Sequence, residues 1–403
     1  MSVAKIALIG CGRPARRWHL PTLNELAKKG AVEFVALCDL DEALAAESGK
    51  AYGVPYYTSA EEMFEKHPDI MAVDVVTGDP THHGLAKLVA DHGKHVMVEK
   101  PMALTLTCCD VIIEACRSNG VHFEVAENYF RMPKQRLIVN LIKEGILGDV
   151  VRVYYVEAKA QNLFDPTATH RGVTHPVHKF GNSSGMCMDM GAHRLSQLRL
   201  FAQSEARQVI GTTRRYRANP EIVHEDWAHS MIDFESGAVG IYETSRLGES
   251  MSYYQVTGTK GGIRDHAWTG RALPLRLQIG EEMQDVGVEF ERHTVDGVDV
   301  LSRIVVHTDP EIVYVNPYRE YAIDDWSVGH AAEIMSLANA ALHDEAPEYG
   351  SNGRKDVEMA MAIYESSLHG TAPIKLPIEE VTSYEQMLHD DYYEQFGRAI
   401  DEV

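Results

Sequence analysis

Apolar and polar positions alternate in short, regular units along residues 1–126. The run Lys5-Ile6-Ala7-Leu8-Ile9 reads as a buried strand and stops at Gly10. Ala15, Trp18, Leu20, Leu23 and Leu26 then mark the apolar positions of a helix. A second strand is expected over 32–38 and a helix over 42–52, closed by Gly53-Val54-Pro55. Ser59 followed by Glu61 and Glu62 reads as a helix cap with acids in the first turn. Further strands are expected over 70–77, 95–98 and 121–125, with helices over 83–92 and 107–118 ended by Gly93 and by Asn119-Gly120. This alternation predicts a doubly wound parallel sheet in an α/β fold.

The pattern changes near residue 127. A helix is expected over 133–144. Strands are expected over 150–158, 208–215, 229–234, 240–245, 253–257, 275–279 and 311–315. Long β runs with an inserted helix predict a mostly antiparallel open sheet covered on one face. Helical spacing returns over 327–342 and 354–367. Residues 383–403 read as an acidic, tyrosine-bearing helical tail, a possible interaction arm. The resulting division is 1–126, 127–382 and the tail 383–403.

At 403 residues the chain is long enough for two domains. Its net charge of −21 opposes nucleic acid and anionic lipid, so neither is expected as a partner. An anionic cofactor must therefore be held by local backbone dipoles. Six cysteines without zinc-like spacing are read as reduced and mostly buried, which places the protein in the cytoplasm. No apolar run reaches membrane-spanning length, and no signal peptide is recognised before Lys5.

Between the first strand and the first helix stands Gly10-Cys11-Gly12-Arg13-Pro14-Ala15, a G-x-G-x-x-A loop. Gly10 suits a tight turn, Gly12 leaves backbone open to a pyrophosphate, and Ala15 permits close helix packing. The helix N-terminus supplies free N–H groups and positive potential. Asp39 ends the second strand, where a carboxylate can accept both ribose hydroxyls of NAD and repel the extra phosphate of NADP. NAD is the expected cofactor. Thr77-Gly78-Asp79, Glu99-Lys100 and Glu127-Asn128 end later strands, the side on which such sheets bind ligands. Asp189 and His193 are four residues apart in a helical stretch and share a face. Such a pair suits proton transfer near neutral pH; it also suits a capped helix with one satisfied core histidine.

Three motifs resemble the glucose–fructose oxidoreductase/inositol dehydrogenase (Gfo/Idh/MocA) family. They are the glycine loop ending at Ala15, the run from His92 to Glu99-Lys100-Pro101, and the run from Gly185 through Asp189 to His193. Gly145-Ile146-Leu147-Gly148-Asp149-Val150, Gly329-His330 and Tyr364-Glu365-Ser366-Ser367 resemble further family segments. The sequence departs from the family pattern in three places. His19 lies one place late, the 79–83 segment is short, and Ser196 stands where an aspartate is common.

The resemblance implies an N-terminal Rossmann domain and a C-terminal α/β domain with a large open sheet. It implies homodimers or homotetramers paired through that sheet, and NAD(P)-linked chemistry on sugars or polyols. On this reading Gly10, Gly12, Arg13, Pro14, Ala15, Asp39, Thr77, Gly78, Asp79, His82, Glu99, Lys100 and Asn128 meet the cofactor, Glu99 at the nicotinamide ribose. Lys100, Asp189 and His193 form the catalytic set: His193 takes the hydroxyl proton, Lys100 supports the alkoxide, and Asp189 positions histidine or substrate. Tyr129, Arg131, His170, Asp189 and His193 are the expected substrate contacts. The histidine-rich stretch 167–178 is expected to cover substrate and to hold no metal. The expected activity is oxidation of a secondary alcohol of a sugar, sugar derivative or cyclitol. A redox-neutral glycosidase or lyase and a non-catalytic nucleotide-binding regulator are the alternatives.

Overall fold

The computed structural model describes residues 3–158, 185–216, 218, 224–248, 250–266, 269–279 and 281–403. Six parallel strands build the N-terminal sheet: β1 (Ala4–Ile9), β2 (Val32–Cys38), β3 (Tyr56–Tyr57), β4 (Ala72–Val75), β5 (His95–Glu99) and β6 (Phe123–Ala126). Their order is β3-β2-β1-β4-β5-β6. The order reverses between β1 and β4, which opens a crevice beyond their carboxyl ends. Helices α1 (Leu20–Lys28), α2 (Glu42–Tyr52), α3 (Ala60–Lys66), α4 (His82–Asp91) and α5 (Leu106–Asn119) connect the strands. Ile6 and Leu8 enter one core layer and Ala7 and Ile9 the other. Burial on both faces is why β1 reads as an unbroken apolar run.

Helices α6 (Asn128–Arg131) and α7 (Pro133–Lys143) lead to β7 (Val150–Ala158) and α8 (Met186–Ala202). Seven strands follow: β8 (Ala206–Arg214), β9 (Trp227–Phe234), β10 (Val239–Ser245), β11 (Met251–Gly258), β12 (Gly261–Asp265), β13 (Leu275–Ile279) and β14 (Glu282–Val286). With the late two-residue strand Ile374–Lys375 at one edge, they form a nine-stranded sheet ordered β14-β13-β12-β11-β7-β10-β9-β8 toward that edge. It is antiparallel except for the parallel pair β7–β10. Its inner face rests on α8 and on the helix Asn352–Leu368. Met231, Ile241, Tyr154 and Tyr253 lie on the other face, which no helix among the described residues covers.

A third sheet is not anticipated in the sequence. β15 (Val288–Val295), β16 (Val298–Val306) and β17 (Ile312–Val315) pair antiparallel. The hairpin between β15 and β16 turns on Asp296 (φ 48°) and Gly297 (φ 86°), both left-handed. Asp-Gly between alternating runs is the signal that marks it. Helix α9 (Ser327–His343) then returns to the N-terminal sheet, burying Val328, Ile334 and Leu337 in the same core layer as Ile6 and Leu8.

The acidic tail is helical over Ser383–Phe396, and it is docked on the helix Asn352–Leu368 and against α4 and α5. Glu385 Oε1 accepts the Thr107 amide at 2.8 Å, at the N-terminus of α5. Tyr392 is buried with its ring 6.5 Å from that of His83. The helical tail is therefore anchored on the chain itself.

Candidate active site

A cavity of about 740 Å³ lies beyond the ends of β1, β2 and β4. Gly10, Gly12, Pro14, Asp39, Thr77 and Gly78 line it, together with Leu40, Glu61 and Leu85. Gly10 has φ +99°, and a Cβ there would meet the Val76 carbonyl oxygen at 2.4 Å. Gly12 faces open space: the nearest atom to its absent Cβ is 3.9 Å away. This cradle fits a dinucleotide pyrophosphate. Asp39 Oδ2 accepts the Cys11 amide at 2.6 Å and Oδ1 accepts the Asp41 amide at 2.8 Å, so one carboxylate ties the glycine loop to the β2–α2 turn. Ala15 is buried, whereas Arg13 is exposed outside the cavity lining. His82 is buried between the Pro101 carbonyl (3.0 Å) and the Thr77 carbonyl (3.3 Å), where it braces two strand-end loops. Asp79 opens a short 3₁₀ turn before α4. Asn128 is buried at the start of α6, and its Nδ2 has no hydrogen-bond partner among the described residues.

Residues Ala15–His19 form a π-helical turn running into α1. A π turn holds one residue more than the α-helical turn it replaces, which accounts for the late position of His19. The buried His19 donates from Nδ1 to Asp74 and from Nε2 to Glu99, each at 2.9 Å. Burial opposes its charge, but the two carboxylates prevail and hold its pKa well above the usual 6.5. Burial likewise opposes charge on Glu99, and the His19 hydrogen bond and charge bring its carboxyl down to about 2. The other Glu99 oxygen accepts the Lys100 amide at 2.8 Å.

Lys100 follows β5 and reaches α8. Its Nζ donates to Asp189 Oδ1 at 2.7 Å and to the Asp189 carbonyl at 3.1 Å. Burial favours the neutral amine, yet Asp189 and Glu99 raise its pKa above the ordinary lysine value. Helix α8 is fixed at its start by Glu225, which accepts the Cys187 amide at 2.7 Å and the Tyr364 hydroxyl at 2.9 Å. A Cβ on Gly185 would lie 2.0 Å from that carboxylate, so only glycine fits. One turn beyond Asp189, the buried His193 places Nδ1 2.8 and 2.9 Å from the two oxygens of Glu127. Asp189 thus pairs with lysine, and the carboxylate against His193 is Glu127. The sequence puts Glu127 on a strand end but gives it no task. Only its place beside Asn128 hints at one.

The Tyr129 ring lies 4.5 Å from that of His193 and under the Arg194 guanidinium at 4.4 Å. Arg131 is drawn elsewhere: it is 2% exposed and donates to Glu124 at 2.6 Å. His170 and the 167–178 stretch lie outside the described residues. His19, His330 and Glu333 bring ligand-type atoms within 4.8 Å of one another, with both His19 nitrogens already held by Asp74 and Glu99.

The fold is that of a dinucleotide-binding oxidoreductase, and Lys100, Glu127, Asp189 and His193 gather where β5, β6 and α8 meet. Residues 4–127 match the family model described as oxidoreductase family, NAD-binding Rossmann fold, and residues 136–264 match the GFO/IDH/MocA C-terminal domain. The chain belongs to the Gfo/Idh/MocA family. It is 27% identical over 267 residues to D-apiose dehydrogenase of Paraburkholderia graminis, covering 64% of this chain and 67% of that protein. It is 30% identical over 162 residues to glycosyl hydrolase family 109 protein 3 of Phocaeicola vulgatus, covering 38% of this chain and 28% of that protein. A solved levoglucosan dehydrogenase, in complex with NADH and levoglucosan, superposes with a TM-score of 0.74 at 21% identity, over 93% of this chain and 100% of the other.

Proposed function

We propose that this chain is an NAD-dependent dehydrogenase acting on a secondary alcohol of a sugar, sugar derivative or cyclitol. The observation that carries the reading is the gathering of Lys100, Asp189 and His193 at the end of β5, beside the glycine-loop cavity. The glycine loop holds the pyrophosphate, Asp39 the adenosine ribose, and Glu99 the nicotinamide ribose. When bound, the cofactor accepts a hydride. Lys100, kept cationic by Asp189, donates a hydrogen bond to the reacting oxygen and stabilises the alkoxide as it forms. His193 takes the hydroxyl proton. Tyr129 walls the substrate side of His193.

Asp39 and Glu61 on the cavity lining favour NAD over NADP, since both would repel a 2′-phosphate. The face around Met231, Ile241 and Tyr253, which no helix among the described residues covers, supports homo-oligomers paired through the nine-stranded sheet, which sedimentation would detect. Six buried free thiols suit a reducing cytoplasm.

The test is incubation with NAD and a panel of sugars and glycosides, recording nicotinamide absorbance and product masses. Accumulating NADH with a ketonic or lactonic product supports the reading. Cleaved glycoside without accumulating NADH supports the redox-neutral alternative, which the 30% likeness to a glycosyl hydrolase keeps in play.

A further inference from the structure

We propose that Glu127 is the positioning residue of the proton-accepting step: through Nδ1 it orients His193 and balances the charge that His193 gains. This rests on the dehydrogenase reading above. Glu127 is 1% exposed and sits at the carboxyl end of β6, where it caps α6. Its Oε1 accepts the Tyr129 amide at 3.2 Å, so its side chain is fixed from two sides.

Both oxygens lie within 2.9 Å of His193 Nδ1. With Glu127 ionised, its oxygens only accept, so Nδ1 carries the proton and the lone pair falls on Nε2, at the opposite ring edge. Asp189 Oδ1 meets Lys100 Nζ one turn earlier on α8, so the lysine and the histidine each face a carboxylate.

Burial pushes the Glu127 carboxyl up; Asp356 and Glu333 add to that, while Lys100 and Arg194 oppose it. Asp189 on α8 and Tyr129 on α6 are further titratable groups beside His193. During oxidation the substrate C–H bond breaks with its electron pair passing to the oxidised nicotinamide. The O–H proton passes to His193 Nε2, and the carbon–oxygen single bond becomes a carbonyl. The imidazolium so formed keeps its Nδ1–H on Glu127.

The experiment combines kinetics with proton NMR of the histidine N–H. Glu127→Gln should lower kcat by ~10-fold or more, as loss of the orienting carboxylate does in catalytic triads. It should leave the KM for NAD within about 2-fold and move the acid limb of the kcat/KM profile to lower pH. Glu127→Asp should restore part of the rate. Glu127→Gln should cost almost nothing further in a His193→Ala background. The wild type should show a low-field N–H resonance that moves upfield in Glu127→Gln and disappears in His193→Ala.

Additive effects of the two substitutions, or an unmoved resonance, would overturn the proposal. So would an unchanged kcat with only a lowered melting temperature. The resonance needs no substrate. If it behaves as expected while no alcohol is oxidised, the pairing stands and the dehydrogenase reading falls.

Discussion

Lys100 shows how local charge outweighs burial: its ammonium persists because Asp189 and Glu99 face it. Lys100→Met and His193→Ala should each cut kcat by at least about 100-fold, the lower range for general acid–base groups. Cofactor affinity, read by fluorescence titration, should change far less, because the glycine loop and Asp39 make different contacts. His19 predicts a pH effect on stability. Its folded pKa is raised, so the stabilisation is complete below about pH 6.5 and fades as pH rises through the folded value. The destabilisation caused by His19→Gln, from urea melts, should therefore be larger at about pH 6 than at about pH 10. An equal loss at both would show that His19 acts through packing alone.

Single elements were legible where their information is local. The glycine loop, the Ser59 cap and the strand ends stand in the sequence because turn chemistry and periodicity depend on near neighbours. The π turn was visible only as a one-place delay of His19; the carboxylates that hold His19, Asp74 and Glu99, lie 55 and 80 residues away. Glu127 is close to Asn128 in sequence but meets His193 across 66 residues, a pairing that spacing cannot convey. The β15–β16 hairpin was not read from the sequence although Asp296-Gly297 stands between two alternating runs. At the glycine loop the element-level prediction is direct. Gly10→Ala should abolish measurable NAD binding while the far-UV spectrum is retained, since a Cβ would meet the Val76 carbonyl oxygen at 2.4 Å. Binding of wild-type strength would mean that the loop is not the pyrophosphate cradle.

Across the whole molecule the two sheets are joined by returning segments. Helix α9 packs on β1, β4, β5 and β6 although it follows eight of the nine strands of the second sheet in sequence, and the tail caps α5 through Glu385. Alternating patterns revealed both sheets but not these returns, because an apolar helix face does not say which sheet it covers. The cofactor preference belongs to this scale, since the net charge of −21 gives no general attraction for a further phosphate. The kcat/KM ratio of NAD to NADP should exceed ~10 and should narrow in Asp39→Ala, in line with loss of one charge contact. Comparable values for both cofactors in the wild type would contradict this reading of Asp39.

Isotope transfer reads out directly whether hydride leaves a sugar carbon beside Lys100 and His193. Sugars deuterated at single ring carbons are turned over with NAD, and cofactor and product are analysed by mass spectrometry. Deuterium is expected in the reduced cofactor for one labelled carbon, with a product two hydrogens lighter than the substrate, and the transfer should be lost in His193→Ala and Lys100→Met. Turnover with the label never entering the cofactor, or transfer of wild-type efficiency in either variant, would contradict hydride transfer at these residues.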